Sequence, residues 1–343
     1  MATITIGTKV DNDFGFGFGF GFTSGASAGP VDPLAGISFT LRFQTHKGEV
    51  SGTGSFFSVS DGTDPDFDGD YYPNGETQNA KPVYQLDGGT ALMVYNESEG
   101  FWELVDGGAP VASGGSPSNP GIGVWTNGYN VSEGTFSIFT PIGLYQDTAC
   151  TIPAMVDGDL IAGVKDEVGN TGIIATQPNA AKQPYLLFVR GVPTITGDGV
   201  DDWLECDNVL AAPFASTIAA QEVGANFTMY GGRFNGVNDR DWNVMPPVVV
   251  RYDNANHAYT LTPTLSGAFV ETATETVLGG NAYVTATGNS AVPVGFPESA
   301  TMGILSNGPD NSSYGSHSIV ALYFYPIANR SQVETYAATL IVP

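Results

Sequence analysis

Residues 144–206 read LYQDTACTIPAMVDGDLIAGVKDEVGNTGIIATQPNAAKQPYLLFVRGVPTITGDGVDDWLEC, and the turn signals in that stretch decide the fold class. Asp157-Gly158-Asp159 precedes the apolar run Leu160-Ile161-Ala162-Gly163-Val164. Gly169-Asn170 precedes Ile173-Ile174-Ala175, and Gly197-Asp198-Gly199 leads into Trp203-Leu204. Breakers this closely spaced stop a helix before it can propagate, while the short apolar runs between them suit half-buried strands. The prediction is an all-β chain.

Composition agrees. The 343 residues include 45 Gly and 22 Pro, and only 13% are charged, whereas 42% are apolar, enough for a substantial core. That length suits two or three domains. With 11 basic against 35 acidic residues the net charge is −24, so phosphate backbones and anionic membranes should repel the chain. Nucleic acid and membrane insertion are therefore excluded as expected partners, and divalent cations or a basic protein are favoured. The start MATITIGTKV has neither a basic nor an apolar signal region, so no conventional secretion is expected. Two cysteines, Cys150 and Cys206, supply no disulfide framework; they could pair or stay as buried thiols.

Upstream, Phe14, Phe16, Phe18, Phe20 and Phe22 alternate with glycines. Extended, such a ribbon lines five rings on one side, an apolar surface that a soluble monomer does not normally leave open. It reads either as a low-complexity linker or, because a linker gains nothing from Phe, as an assembly strand buried in a neighbouring subunit. Ile37, Phe39, Leu41 and Phe43 form the next alternating stripe. Residues 1–48 are thus predicted as an arm, 49–143 as a small antiparallel β domain and 144–343 as a further domain of alternating strands and turns, which the resemblance given below makes a β-sandwich. Within the small domain, strands are expected at 56–59, 82–86, 91–95 and 101–105, with turns at Gly88-Gly89 and at 96–100. Near the end, Ser331 and Glu334 have capping-box spacing before a helix whose face is Val333, Tyr336, Ala337 and Leu340.

The order of pieces after residue 144 resembles the concanavalin A-like or laminin-G-like jelly-roll domain of bacteriophage virion proteins, with its "Q-D-x-A-G-T-x-P", "D-x-x-G-N", "A-T-Q", "A-A-x-x-P" and "D-G-V-D-D-Y/W-L" pieces. The corresponding residues are Gln146-Asp147-Thr148-Ala149, Asp166 to Asn170, Ala175-Thr176-Gln177, Ala180 to Pro184 and Asp198 to Leu204. The closing strand and helix at 319–340 keep the position, though not the spelling, of that domain's ending. A shorter likeness covers the small domain, where Gly69-Asp70-Tyr71, Asn79-Ala80-Lys81-Pro82-Val83-Tyr84 and Trp102-Glu103-Leu104 resemble a phage-type module reading "G-x-Y … N-G-K-P-x-Y … W-x-L". Ala80 stands where that module has Gly.

Few residues point to catalysis. His46, His257 and His317 are isolated, and no nucleophile elbow, zinc-ligand spacing or phosphate loop occurs, so no catalytic residues are expected. Asp64, Asp66 and Asp68 alternate before Gly69, a pattern that can converge on Ca²⁺ or simply be a solvated acidic loop. Asp198, Asp201 and Asp202 form a second acidic group. The resemblance implies a rim Ca²⁺ there, while the structural alternative has Asp201 and Asp202 capping backbone N–H groups and Trp203 plugging the core. For ligand binding the best stretch is Tyr230, Arg233, Phe234, Arg240 and Trp242, aromatics and arginines in a Gly/Asn-rich loop that would serve a glycan or a subunit contact. The resemblance then implies a non-enzymatic, homo-oligomeric virion protein contacting other virion proteins and host-surface glycans. Two alternatives remain: a capsid decoration or cement protein without glycan binding, and a polysaccharide hydrolase of the tail.

Overall fold

The computed structural model describes residues 33–39, 41–166, 172–207, 214–222, 228–234, 238–245, 248–252, 256–260, 268–275, 281–284, 292–293, 301–305 and 315–342. Two compact units divide at Gly36/Ile37, and the second contains all the strands described below. Phe14, Phe16, Phe18, Phe20 and Phe22 lie outside the described residues.

The fold is all-β and antiparallel, with one short α-helix at the C-terminal end. It begins with β1 (Leu41–Gln44). A seven-stranded module follows: β2 (Val50–Ser60), β3 (Gly69–Gln78), β4 (Lys81–Leu86), β5 (Leu92–Asn96), β6 (Phe101–Asp106), β7 (Ala109–Gly114) and β8 (Asn130–Phe139). The spatial order β7-β6-β5-β4-β3-β2-β8 is a meander whose last strand returns to lie beside its first. The predicted strands 56–59, 82–86 and 101–105 fall inside observed ones and 91–95 overlaps Leu92–Asn96 with Ala91 outside it; β3, β7 and β8 carried weaker apolar signals. Alternation along β6 sends Trp102 and Leu104 inward to meet Phe57, Tyr71 and Met93 in one core. The 115–129 segment covers that core with Trp125 and Tyr129, and Trp102 Nε1 donates to the Ser116 carbonyl at 3.0 Å.

Gly residues in β2 and β8 make room for rings. Gly54 faces Phe136 and Phe56 faces Gly134 across the ladder. A Cβ on Gly54 would sit 2.4 Å from the Phe136 ring, and one on Gly134 would sit 2.3 Å from the Phe56 ring. Each ring therefore lies flat over its partner's missing side chain.

The sandwich is built from β9 (Leu144–Tyr145), β10 (Gly163–Lys165), β11 (Ile174–Thr176), β12 (Tyr185–Val189), β13 (Val192–Thr196), β14 (Leu204–Asp207), β15 (Phe214–Glu222), β16 (Thr228–Phe234), β17 (Asn238–Met245), β18 (Val248–Tyr252), β19 (Asn256–Thr260), β20 (Phe269–Glu275), β21 (Asn281–Val284), β22 (Val292–Pro293), β23 (Thr301–Ile304) and β24 (Ser318–Tyr325). One sheet runs β19-β18-β17-β16-β23-β14-β11-β10-β9 and the other β12-β13-β24-β15-β20-β21-β22. A single apolar core takes Leu144, Val164 and Leu204 from the first and Ile195, Ile218 and Leu322 from the second. Strand β24 reads SIVALYFY, a nearly unbroken apolar run, and is buried at every position.

One boundary differs from expectation. The strand grouped with the arm belongs to the sandwich: β1 pairs with β24, Leu41 opposite Phe324 and Phe43 opposite Leu322. Strand β13 pairs with Ile319 and Ser318 of the same strand, so β1 and β13 follow one another along β24. The module is therefore an insertion between the first sandwich strand and the rest. The predicted four-residue stripe also splits, because Leu41 and Phe43 enter the core whereas Phe39 packs against the Tyr323 and Tyr325 rings.

The helix α1 (Arg330–Ala337) buries Val333 and Ala337, as its periodicity predicts. Its N-cap is Asn329, not Ser331, and no side chain caps it. Glu334 instead accepts from Arg330 Nε at 2.8 Å, a turn away on the same face, so the capping box does not form. No helix among the described residues is long and apolar enough to cross a membrane.

Candidate functional site

The residues singled out in sequence fall in three places. Tyr230, Arg233 and Phe234 are on β16, and Arg240 and Trp242 are on β17. Tyr230 is registered opposite Trp242 and Gly232 opposite Arg240, so adjacent strands bring these residues together. The loop reading is corrected: this is ladder within the larger sheet, with only 235–237 between its strands. β-branched residues and aromatics around the glycines outweighed their turn preference.

Asp64, Asp66 and Asp68 surround a 3₁₀ turn, Pro65–Phe67, anchored by the buried ring of Phe67. Asp64 Oδ1 accepts from the Asp66 amide at 3.1 Å, capping that turn, and Asp68 Oδ1 accepts from the Gly62 amide at 3.5 Å. Among the described residues, the acidic group whose ligand atoms all lie within 4.8 Å of one another is Asp198, Asp201 and Asp202.

That group sits in the turn entering β14. Asp198 Oδ1 accepts from the amides of Val200 at 2.7 Å and Asp201 at 3.2 Å, while Asp202 Oδ2 accepts from the Asp198 amide at 3.0 Å. The capping carboxylates are thus Asp198 and Asp202. Trp203 is only half-buried, and Leu204 takes the core position beside it. Burial pushes the Asp202 carboxyl up to about 6, and the nearby charges of Asp198 and Asp201 push the same way against the hydrogen bond from the Asp198 amide. These three carboxylates could hold a hard cation such as Ca²⁺, whose charge would reverse that shift. Cys206, buried in the core, has a thiol raised to about 12 chiefly by burial, and Cys206 and Cys150 are not joined in a disulfide.

A cleft of about 440 Å³ lies where the module meets the sandwich, lined by Tyr72, Gln85 and Asp87 from one and by Phe188, Arg190 and Glu222 from the other. The two-residue turn Arg190-Gly191 joins β12 to β13, with φ of 51° and 80°, the left-handed pair of a type I′ hairpin. Gly191 is required twice over, since a Cβ there would also meet the Ser137 carbonyl at 2.2 Å. That close approach seats the hairpin on the module. Arg190 pairs with Asp87, its guanidinium carbon lies 5.6 Å from the Tyr72 ring centre, and Tyr72 in turn stacks on Phe56. The Arg190 side chain is 9% exposed, and its Nε is buried without an acceptor.

Sequence reasoning missed this cleft. Asp87 and Arg190 are 103 residues apart and share no motif, so only the inserted topology joins them. One local hint existed: an arginine placed in a Gly-containing hairpin turn within a chain so poor in basic residues.

No family model and no curated protein matches the chain by sequence. Among solved structures it is similar to a Trypanosoma rangeli sialidase in complex with 2,3-difluoro-KDN, at 10% identity and a TM-score of 0.32, covering 80% of this chain and 54% of the sialidase. The same sialidase with 2,3-difluorosialic acid, a covalent intermediate, gives 11% identity and a TM-score of 0.32, over 73% and 45% of the two chains. The chain spans about half the length of those sialidase chains. At this level the likeness carries no argument about activity.

Proposed function

We propose that the chain is a non-enzymatic structural protein of a bacteriophage-type virion, acting by attachment through a lectin-like sandwich to host glycans or to neighbouring subunits. What supports this reading most is the fate of residues 144–206. Where described, the stretch supplies the antiparallel strands Gly163–Lys165, Ile174–Thr176, Tyr185–Val189, Val192–Thr196 and Leu204–Asp207 of a two-sheet sandwich, and a short helix, Arg330–Ala337, follows the last strand. That arrangement fits the concanavalin A-like resemblance. Preformed sheets of this kind grip partners without needing a reacting group. The Asp198, Asp201 and Asp202 group is the best-gathered candidate for a Ca²⁺ that would order the rim of the β14 turn.

The test is a glycan array probed with the full chain, with and without EDTA. Binding to a subset of bacterial envelope glycans, weakened by EDTA, is the expected result. A blank array combined with particles that fall apart more readily without the chain would replace attachment by a cement role. Release of reducing ends from envelope polysaccharide would overturn the non-enzymatic reading altogether. Removal of residues 1–25 should abolish incorporation into particles, and unchanged incorporation would refute an assembly role for Phe14 to Phe22.

A further inference from the structure

Residues 340–342 take no part in the attachment reading, yet they touch both places where the module is held. At the crossing from β1 into the module, the Leu340 carbonyl lies 2.7 Å from His46 Nε2, and the His46 ring stacks on Phe139 at the end of β8. At the cleft, the Val342 carbonyl accepts from Gln221 Nε2 and lies 3.4 Å from Arg190 Nη1. The Val342 amide donates to Gln221 Oε1 at 2.9 Å. Gln221 is on β15 and Arg190 in the β12–β13 turn, and in their sheet β13 and β24 stand between β12 and β15. Val342 thus joins parts of the sheet that do not pair. Gln221 is fully buried, and among the described residues both hydrogen bonds of its side chain go to Val342, so the two hold one another in place.

Arg190 carries that hold across to the module. Its Nη2 donates to Asp87 and its guanidinium lies over the Tyr72 ring, both on the module. Its Nε is buried without an acceptor, so among the described residues Asp87 and Val342 are its acceptors. Without Val342, a side chain only 9% exposed keeps one acceptor, and that one belongs to the other half. The orientation of Arg190, and with it the grip on Asp87, therefore rests on the C-terminal segment. Elsewhere the halves meet at the connections 45–49 and 140–142, at the Phe139 amide on the Gly191 carbonyl at 2.9 Å, and where Asp157 lies against Gly75. The two connections run side by side, Thr140 bonded to Glu49, and such a pair is a pivot unless contacts away from it stop it turning.

We propose that residues 340–342 are a strap that fixes the pose of the module on the sandwich, and that lifting it lets the module turn about the 45–49 and 140–142 connections and opens the cleft. The module is thereby steered from the C-terminal segment, whether or not the sandwich binds glycans.

Nitroxides on Glu97→Cys in the module and Val200→Cys in the sandwich, both exposed positions, report the distance between the halves by double electron–electron resonance, the native Cys150 and Cys206 being buried. A single narrow distribution is expected with the strap in place. It should broaden about twofold, or gain a second distance, when the chain stops after Ile341 or carries Gln221→Leu. Thr339→Ala should leave it narrow, because that hydroxyl bonds to the Tyr336 carbonyl and to none of the strap's partners. An unchanged distribution in both strap variants, or equal broadening by Thr339→Ala, would overturn the proposal. Should the strap variants misfold, hydrogen exchange in the wild type decides it: the Val342 and Phe139 amides should exchange through one shared opening. A Phe139 amide that stays protected while Val342 exchanges freely would overturn it equally.

Discussion

In the module, strands β2 to β7 each pair with the next along the chain, and only β8 returns from a distance to β2. In the sandwich, the central strand β24 draws on Leu41 to Gln44, Ile195 and Thr196, and the length of β15. One half is thus closed by local contacts and the other by contacts across nearly the whole sequence. Local pairing lets a unit fold without waiting for distant strands. It also explains why the module can interrupt the sandwich: its entrance and exit meet, Thr140 donating to the Glu49 carbonyl at 2.8 Å, so the host sees a short connection between Thr45 and Ile142.

The largest effect should come from striking each core separately. Trp102 is 1% exposed and Leu322 is 1% exposed, in the module and the sandwich respectively. Trp102→Ala should cost about 3–5 kcal/mol and Leu322→Ala about 2–5 kcal/mol. The difference lies in what else is lost. Hydrogen exchange should show that Trp102→Ala deprotects β3 to β7 while β24 amides stay protected. Leu322→Ala should deprotect both sandwich sheets together. Uniform deprotection by Trp102→Ala would mean that the two halves fold as one.

Next in size is the junction. Gly191→Ala places a methyl at φ +80° and against the Ser137 carbonyl, so it should destabilise by about 1–3 kcal/mol. Urea melts would reveal the loss. If the halves are held mainly through this hairpin, cross-links between Asp87 and Arg190 positions should also fail in that variant.

The contrast between local and distant contacts also sets how much could be read in advance. Strands such as Phe101–Asp106 and Ser318–Tyr325 announce themselves by their own residues, because alternation or an unbroken apolar run is enough. Two antiparallel sheets and the helix face of Val333 and Ala337 were equally legible. The assignment of β1 to the sandwich was not, since Leu41 and Phe43 show that they are buried but not against what. The same limit hid the cleft: Asp87, Arg190 and Glu222 are unremarkable individually. The Asp198 turn lay between these cases, its acidity plain and its division of capping labour decided only by backbone geometry. Ser331 misled because its spacing to Glu334 satisfied a local rule, while Arg330 offered that carboxylate an ion pair.

A smaller and favourable change is available in the module. Asn79-Ala80 forms the two-residue turn between β3 and β4, with φ of 54° and 59°. Glycine adopts that second position freely and alanine only with strain, which is why the phage-type module has Gly where Ala80 stands. Ala80→Gly should stabilise the module by about 1 kcal/mol, the relief of left-handed strain outweighing the added freedom of the unfolded chain. A higher urea midpoint for the module transition with an unchanged sandwich transition would confirm it. A lower one would show that the turn relaxes around Ala80.

The response to acid is the last comparison, because His46 and Asp202 answer it in opposite directions. His46, where the chain passes from β1 to the module, is stacked 4.5 Å from the Phe139 ring, with Nε2 2.7 Å from the Leu340 carbonyl and Nδ1 accepting from the Gly48 amide. That pattern fixes the neutral ring as an Nε2 donor, and burial lowers its pKa from 6.5 although the Leu340 hydrogen bond raises it. Its contribution is intact above about pH 6.5 and is lost as pH falls, because the unfolded chain takes up the proton first. Asp202 has the opposite sign: with a folded value of about 6 against 3.8, its contribution is full below 3.8 and disappears as pH rises through 6. Between pH 6.5 and 4 the two contributions therefore run in opposite directions. Asp202→Asn keeps an acceptor for the Asp198 amide but removes the titration, so its melting temperature should drop steadily over that interval while rising slightly at pH 7. A flat profile in Asp202→Asn would show that His46 is not the group that acid attacks, and that the crossing into the module is less tightly packed than the stack on Phe139 implies.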